Sequence, residues 1–522
     1  MSVSRREFVT QSSLAAAALV VSPGLAGHGA LLRPQGADPQ AKLLCMLALD
    51  AARAAGAEYA DARVVRYRQQ VVRARGDQVE QRDDVEDFGF AVRVLAGGVW
   101  GYAASQKLLR QEAFRLARAA VEDAQTGGRP GGVTLAPVPA DPDGEWKTPI
   151  LEDPFSVSLD EKIALLLDAN GEALRIGSVR LVESAIECQR IDMTFASTAG
   201  SIFENVVYRT YPWMAVTAGS SDENAGATRR SWEIPPMARG YEHVTNADLV
   251  GQAGGWAQDA AESSRAKSVE PGIYDLILHP AHLARVVHET VGRATALDRV
   301  STGASFLAPP GAVINTFRLG PEFLNIQGDR TQRGALATVG WDDEGVPADA
   351  WPLVSDGVVV DYQTTRASAG DIAALTGVRG AHGCAVADSW QAPPVARMPN
   401  VSLLPGDANH STDDLIAGTE RGILIKGPGQ YAIDGQCHDF RFAGQECYEV
   451  RNGVVVGRLR DVVYQGTTPE FWNALDLLGG TDTYELGGVL YDGYEGTGRV
   501  MGAGHGVPAA KFRGIRVLNM PL

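Results

Sequence analysis

The texture of the chain changes at Glu270-Pro271-Gly272, and that change limits what it can fold into. Before this turn, amphipathic helix patterns alternate with long period-two runs. After it, Gly and Pro punctuate short alternating runs, among them Gly357-Val-Val-Val-Asp-Tyr362, Gly422-Ile-Leu-Ile-Lys426, Val454-Val-Val456 and Phe512 to Leu518. The second pattern is that of an antiparallel, loop-rich β domain. A length of 522 residues also exceeds what one core usually supports. The expectation is an α+β protein, with an N-terminal mixed α/β domain over 38–266 and a largely antiparallel β-rich domain over 270–522.

In the first part, Asp38 suits an N-cap and Pro39 a first helical residue, and the helix reads on to Ala55. Tyr59 to Arg75, Val85 to Leu95 and Val99 to Ala104 alternate as half-buried strands do, with Gly97-Gly98 as a hairpin turn. Leu108 to Ala124 returns to helical spacing. Ser158 with Glu161 forms a capping box that opens a helix to Leu174. Strands follow over Val179–Met193 and Ser201–Ala218, then a helix over Ala247–Ala266. In the second part, Ile273 to His279 reads as a buried strand and Pro280 as the start of the next helix.

Charge and composition exclude several functions. Hydrophobic residues at 45% and charged residues at 21% describe a globular chain. A formal net charge of −16 opposes nucleic-acid binding. Cys45, Cys188, Cys384, Cys437 and Cys447 form no CxxC pair, so buried free thiols are expected, with a Cys437–Cys447 meeting across a hairpin as the alternative. Ser4-Arg5-Arg6-Glu7-Phe8-Val9 matches the twin-arginine pattern, and a short apolar run from Leu14 to Val21 follows. Residues 1–30 are therefore expected to be an export signal, with a periplasmic or extracytoplasmic destination. No other segment is apolar enough for a membrane span.

The chemistry-bearing stretch is Val286-Val-His-Glu-Thr-Val-Gly-Arg-Ala-Thr-Ala-Leu-Asp298. A His-Glu pair on a helix is how several zinc peptidases begin their site, the Glu serving as base for the metal-bound water. On a regular helix, a partner five residues after His288 points about 140° away. Such a spacing works only if the helix widens as a π-bulge does, and Gly292 eases that. His279 and His282 face away from His288, while His382, His410 and His438 sit in loops as surface or hydrogen-bonding residues. His505, in Gly502-Ala-Gly-His-Gly506, is a better site candidate, because glycines let backbone approach closely; an exposed turn is the alternative. Asp342-Asp343-Glu344-Gly345 has the look of a carboxylate cluster, but its expected role is a solvated turn. Gly493-Tyr-Glu-Gly-Thr-Gly498 lacks the Lys-Ser/Thr of a phosphate loop.

Several stretches together resemble the TldD/PmbA (TldE) family of metallopeptidases, in its TldD-like branch. They include Gly89-Phe-Ala-Val-Arg-Val-Leu-Ala-Gly-Gly-Val-Trp-Gly101, Asp342-Asp-Glu-Gly-Val-Pro347, Tyr464-Gln-Gly-Thr-Thr-Pro-Glu-Phe-Trp472 and Gly504-His-Gly-Val-Pro-Ala-Ala-Lys-Phe-Arg513. The resemblance implies HExxxH, a trailing Asp and a distant Cys around zinc, with hydrolysis of unfolded peptides in a chamber of paired subunits. Laid on this chain, it puts His288 at a metal ligand, Glu289 at the catalytic base and Asp298 at the trailing Asp. Arg293 falls at the second ligand and Asp492 where the family has Cys. Arg cannot ligate a metal. One expectation is a bidentate Arg293–Asp492 ion pair in place of zinc. The other is a mixed metal site of His288 and Asp492, with His505 or Glu289, and Arg293 turned outward toward substrate. The corresponding functions are a peptidase, or a non-catalytic, peptide-binding partner in a homo- or hetero-oligomer with a family member. A third is a binding protein of the envelope.

Overall fold

Pro39 opens the first helix, α1 (Pro39–Ala54), which buries Leu44, Cys45, Ala48, Leu49 and Ala52. In this computed structural model the described residues are 39–127, 132–219, 226–378, 380–492 and 501–520. The twin-arginine stretch and the glycine run 493–498 lie outside them. Three long strands follow or interleave with helices: β1 (Tyr59–Arg75), β2 (Gln78–Ala96) and, after the Gly97-Gly98 turn, the shorter β3 (Val99–Ser105). Helix α2 (Arg110–Thr126), strand β4 (Gly144–Lys147) and helix α3 (Leu159–Leu174) come next. Ser158 and Glu161 cap α3 reciprocally, as the sequence indicates. Then β5 (Val179–Ser197), β6 (Ile202–Gly219) and β7 (Gly226–Arg230) complete a sheet in the order β3-β2-β1-β5-β6-β4, with β7 also on β6. Helix α4 (Leu249–Ser264) leads out.

Both faces of this sheet are covered, and strand alternation assigns each residue to one of them. Even-numbered residues such as Ala62, Val64, Val92, Ile186, Cys188 and Val216 pack under the four helices. Odd-numbered residues such as Val65, Met193, Phe195 and Phe203 pack against Trp390 and Trp341 of the second domain. Gly89 makes that contact possible, since a Cβ there would lie 2.1 Å from the Trp390 ring.

The second domain contains a closed circuit of strands. Gly272–Leu278 (β8) pairs in parallel with Arg421–Ile433 (β9), which pairs with Asp439–Arg451 (β10). That strand pairs with Val462–Thr467 (β11), which meets Ala510–Asn519 (β12), and β12 returns to β8. The circuit is therefore antiparallel apart from the parallel β8–β9 pair, which joins distant segments. Leu276, Ile423, Phe440, Phe442, Tyr464 and Phe512 belong to its core. All five cysteines are free and buried. Among the described residues, no helix is long and apolar enough to cross a membrane.

The stretch Asp342–Gly345 corrects the expectation of a solvated turn. Asp342 and Glu344 are buried at the junction of the two domains, and Asp343 is partly so. Arg93 donates to Asp61 Oδ2 at 2.6 Å and to Glu344 Oε1 at 2.9 Å, joining the first sheet to the second domain. Arg63 donates to Asp343 Oδ2 at 2.8 Å. Asp342 accepts backbone N–H bonds from Glu344, Val346 and Ala385, while burial, then Glu344, raises its pKa. Composition shows that these residues are charged, but only the second domain's approach to the sheet shows that they are covered.

Candidate functional site

The site helix grows directly out of β8. His279 caps it, its Nδ1 accepting the Ala281 N–H at 3.3 Å, and Pro280 is the first residue of α5 (Pro280–Val287). The helix then widens. Residues His288–Gly292 form a π turn, closed by the Arg293 N–H donating to the His288 carbonyl at 3.0 Å. This brings His288 and Arg293, five residues apart, onto one face. Gly292 sits in a tight place, since a Cβ there would lie 2.7 Å from Met398 Sδ. Gln363 Nε2 donates to the Gly292 carbonyl at 2.6 Å and to Thr295 Oγ1 at 2.8 Å, so a carbonyl of the widened turn is satisfied. Trp472 Nε1 donates to Thr290 Oγ1 at 3.1 Å.

His505 stands in the strand Met501–Val507, buried, not in an exposed turn. The flanking glycines have the reason the sequence suggested. A Cβ at Gly504 would lie 2.8 Å from Asn400 Oδ1, and one at Gly506 only 2.0 Å from the Tyr484 hydroxyl. His505 Nδ1 lies 2.8 Å from the Val401 carbonyl, which can only accept, so Nδ1 carries a proton. Burial, then the adjacent His288, holds the His505 pKa far below its ordinary value, so the ring is neutral and its Nε2 accepts. His288 Nδ1 is 2.8 Å from that Nε2 and therefore donates to it. The chain of two imidazoles thus turns His288 Nε2 into the site. Fixing one ring nitrogen by a hydrogen bond is how a metal-binding histidine is usually oriented.

Around His288 Nε2 stand charged groups. Asp492 Oδ1 is 3.4 Å away and Glu289 Oε1 3.9 Å. Arg293 is turned inward: Nη1 lies 3.3 Å from Glu289 Oε2 and Nη2 lies 3.6 Å from Asp492 Oδ1. The expected bidentate Arg293–Asp492 pair is absent, because the guanidinium divides itself between two carboxylates. Nor does Arg293 face outward, as the mixed metal site required. The nearby Glu289, against the effect of burial, raises the Arg293 pKa. Burial alone would raise the Asp492 pKa, but His288 and Arg293 outweigh it and hold this carboxyl well below the usual range. Asp298 does not join. It is exposed in the first turn of the short helix Leu297–Ser301, and among the described residues no hydrogen bond or ion pair links it to His288 or Glu289.

Two further residues belong to the site. Arg285 Nη1 donates to Glu289 Oε1 at 3.5 Å, a contact that the i,i+4 spacing on the helix could have signalled. Tyr431, from β9, lies under the Arg285 guanidinium at 5.3 Å. Burial, then Glu289, pushes its hydroxyl up to about 12. No local pattern marks that residue.

A zinc ion fits this donor set poorly. His288 is aimed as a ligand would be, but among the described residues His288, Glu289 and Asp492 do not bring three ligand atoms within 4.8 Å of one another. A guanidinium also occupies the space between the two carboxylates, where its charge opposes a divalent cation. The group that does converge is Asp434, His438 and Asp439, partly exposed around the start of β10. Its Asp434 Oδ1 already accepts the His438 N–H at 2.7 Å.

Comparison with known proteins gives this arrangement its context. The chain matches the model of the PmbA/TldA metallopeptidase C-terminal domain over residues 271–518 and that of metallopeptidase domain 1 over residues 60–124. The chain belongs to the PmbA/TldD family. A metalloprotease of Methanocaldococcus jannaschii is 26% identical over 454 residues, covering 86% of this chain and 95% of that protein. A zinc metalloprotease TldD homolog of Saccharolobus solfataricus is 28% identical over 217 residues, 41% of this chain and 45% of that protein. The fold matches that of TldE from Thermococcus kodakarensis with a TM-score of 0.70 at 14% identity, over 91% of this chain and 99% of that one. The π turn with His288 and Glu289 thus lies within the PmbA/TldD C-terminal domain.

Proposed function

We propose that this PmbA/TldD-family chain binds extended peptides without cleaving them, as a subunit beside a family member. In this reading an internal ion-pair network takes the place of the metal. The observation that carries it is Arg293 reaching Glu289 at 3.3 Å and Asp492 at 3.6 Å. One cation then stands against both the base and the replaced ligand, and its charge opposes the metal that would activate water. The strand Glu485–Asp492 pairs along one edge with Met501–Val507, and its other edge has no strand partner among the described residues. A shallow cleft lined by Ala284, Arg285, Val489 and His505 opens to solvent beside it. An extended peptide would add to that free edge through main-chain hydrogen bonds. The twin-arginine pattern supports work outside the cytoplasm, which fractionation of the native host would test.

Metal-dependent peptide hydrolysis is the second reading, favoured by the orientation of His288 Nε2 and by the names of the relatives. Metal analysis of the purified full chain separates the two. We expect substoichiometric zinc and no cleavage of unfolded casein by the wild type. The double variant Arg293→His plus Asp492→Cys should gain zinc. One zinc per wild-type chain, with casein cleavage abolished by a chelator, would overturn the proposal.

A further inference from the structure

A cavity lies at the domain junction, and none of its lining residues belongs to the group around His288. Its volume is about 470 Å³, counting the space that opens to solvent. Arg209, on β6, faces it from the first domain, and Arg330, just after the strand Ile326–Asp329, faces it from the second. Each is 2% exposed, so both guanidinium groups are withdrawn from water. Arg209 Nε donates to the Leu336 carbonyl at 2.9 Å, but its Nη2 has no hydrogen-bond partner. Arg330 lacks partners at both Nε and Nη1.

Burying charged donors without hydrogen-bond partners is costly. Neutralisation does not relieve the cost. Burial, then Arg330, pushes Arg209 down only to about 10, still well above neutral pH. Asp343 is the carboxylate on the wall, and its Oδ2 is already taken by Arg63 and by the Ala387 N–H. The rest of the wall is mostly apolar, with Val65, Ile191, Met193 and Val207 beside Trp341, and Asn205 and Tyr67 add polar groups to it.

We propose that this cavity binds a carboxylate attached to a small apolar body, with the carboxylate held by Arg209 and Arg330. Planar guanidinium donors match carboxylate geometry, and the apolar wall disfavours a strongly hydrated dianion such as phosphate. Because one arginine comes from each domain, the occupant bridges them. Two sources share this chemistry: a free short-chain acid and the C-terminus of an apolar peptide.

The test titrates the full-length protein with hexanoate and with Leu-Leu, each against its neutral amide, and with inorganic phosphate. Binding is read by calorimetry and by the rise in Tm that a native-state ligand causes. We expect at least one carboxylate to bind and raise Tm, and its amide to bind at least about tenfold more weakly. Response to hexanoate identifies the free acid as sufficient, while response to Leu-Leu alone identifies the peptide terminus. Arg330→Met should lose the response, read against its own ligand-free Tm, because the Arg330 charge also favours the ionised Asp342 and Asp343 carboxylates. Should that variant fail to fold, Arg330→Lys decides, since it keeps the charge but loses the fork and should bind several-fold more weakly. Equal binding of acid and amide, binding of phosphate alone, or no response to either carboxylate would each refute the site.

Discussion

At the scale of single residues, Arg293 is the position whose chemistry reaches furthest. Its guanidinium touches two carboxylates, Glu289 with a side chain 1% exposed and Asp492 at 20%. Removing it by Arg293→Met leaves both without that cation, and we expect a loss of roughly 2–3 kcal/mol, measured by urea unfolding at pH 7. The pH dependence follows from the depressed Asp492 carboxyl. A carboxyl held low in the folded state contributes stability above its unfolded value of about 3.9, and that contribution is lost as the pH falls toward the folded value. Arg293→Met should therefore shrink the acid-side loss as well. A variant as stable as the wild type at pH 7, with an unchanged acid limb, would show that the network holds nothing together. The residues His288, Glu289 and Arg293 were legible as chemistry in the sequence. That Arg293 turns inward and shares itself was not, because rotamer choice depends on carboxylates 199 positions away in the chain as well as on its own helix.

At the scale of elements, the π turn decides which residues meet. The sequence offers a reason for it in the five-residue spacing and in Gly292, but a π turn survives only where its loosened carbonyls find donors. Gln363 supplies one, bonding Gly292 and Thr295 from a distant segment. We predict that Gln363→Leu costs about 1–3 kcal/mol, since it strands a buried carbonyl. Hydrogen exchange should rise at the Arg293 amide, which closes the turn. Protection unchanged at that amide would mean that packing against Met398, rather than Gln363, sustains the widening. Long elements were easier to read: β1 begins and ends where alternation does, and the Ser158–Glu161 box opens α3. Their signals lie within one turn or one strand, so no distant partner is needed to express them.

At the scale of the whole molecule, the two domains are joined by buried ion pairs as well as apolar contact. Arg93 holds Asp61 on its own sheet and Glu344 across the junction. Arg93→Met would leave two carboxylates enclosed without their cation, and we expect a loss of about 3–5 kcal/mol in equilibrium unfolding. Pairing it with Glu344→Gln should recover part of that loss, because the two changes act on one network. Strict additivity would show that the contact across the junction contributes nothing. The same junction encloses Arg209 and Arg330, so an occupant of their cavity would add to the same coupling.

The sequence by itself determined the α+β class, the change of texture at Glu270-Pro271-Gly272, and the helix that bears His288 and Glu289. Those follow from periodicity, capping and motif spacing, which are local. Only the tertiary structure decided that Asp342 and Glu344 are buried, that His505 orients His288 through Val401, and that Arg293 stands between Glu289 and Asp492. Each of these depends on which distant segment covers a residue. Burial and long-range charge pairing are set by packing, and no short stretch of sequence carries them.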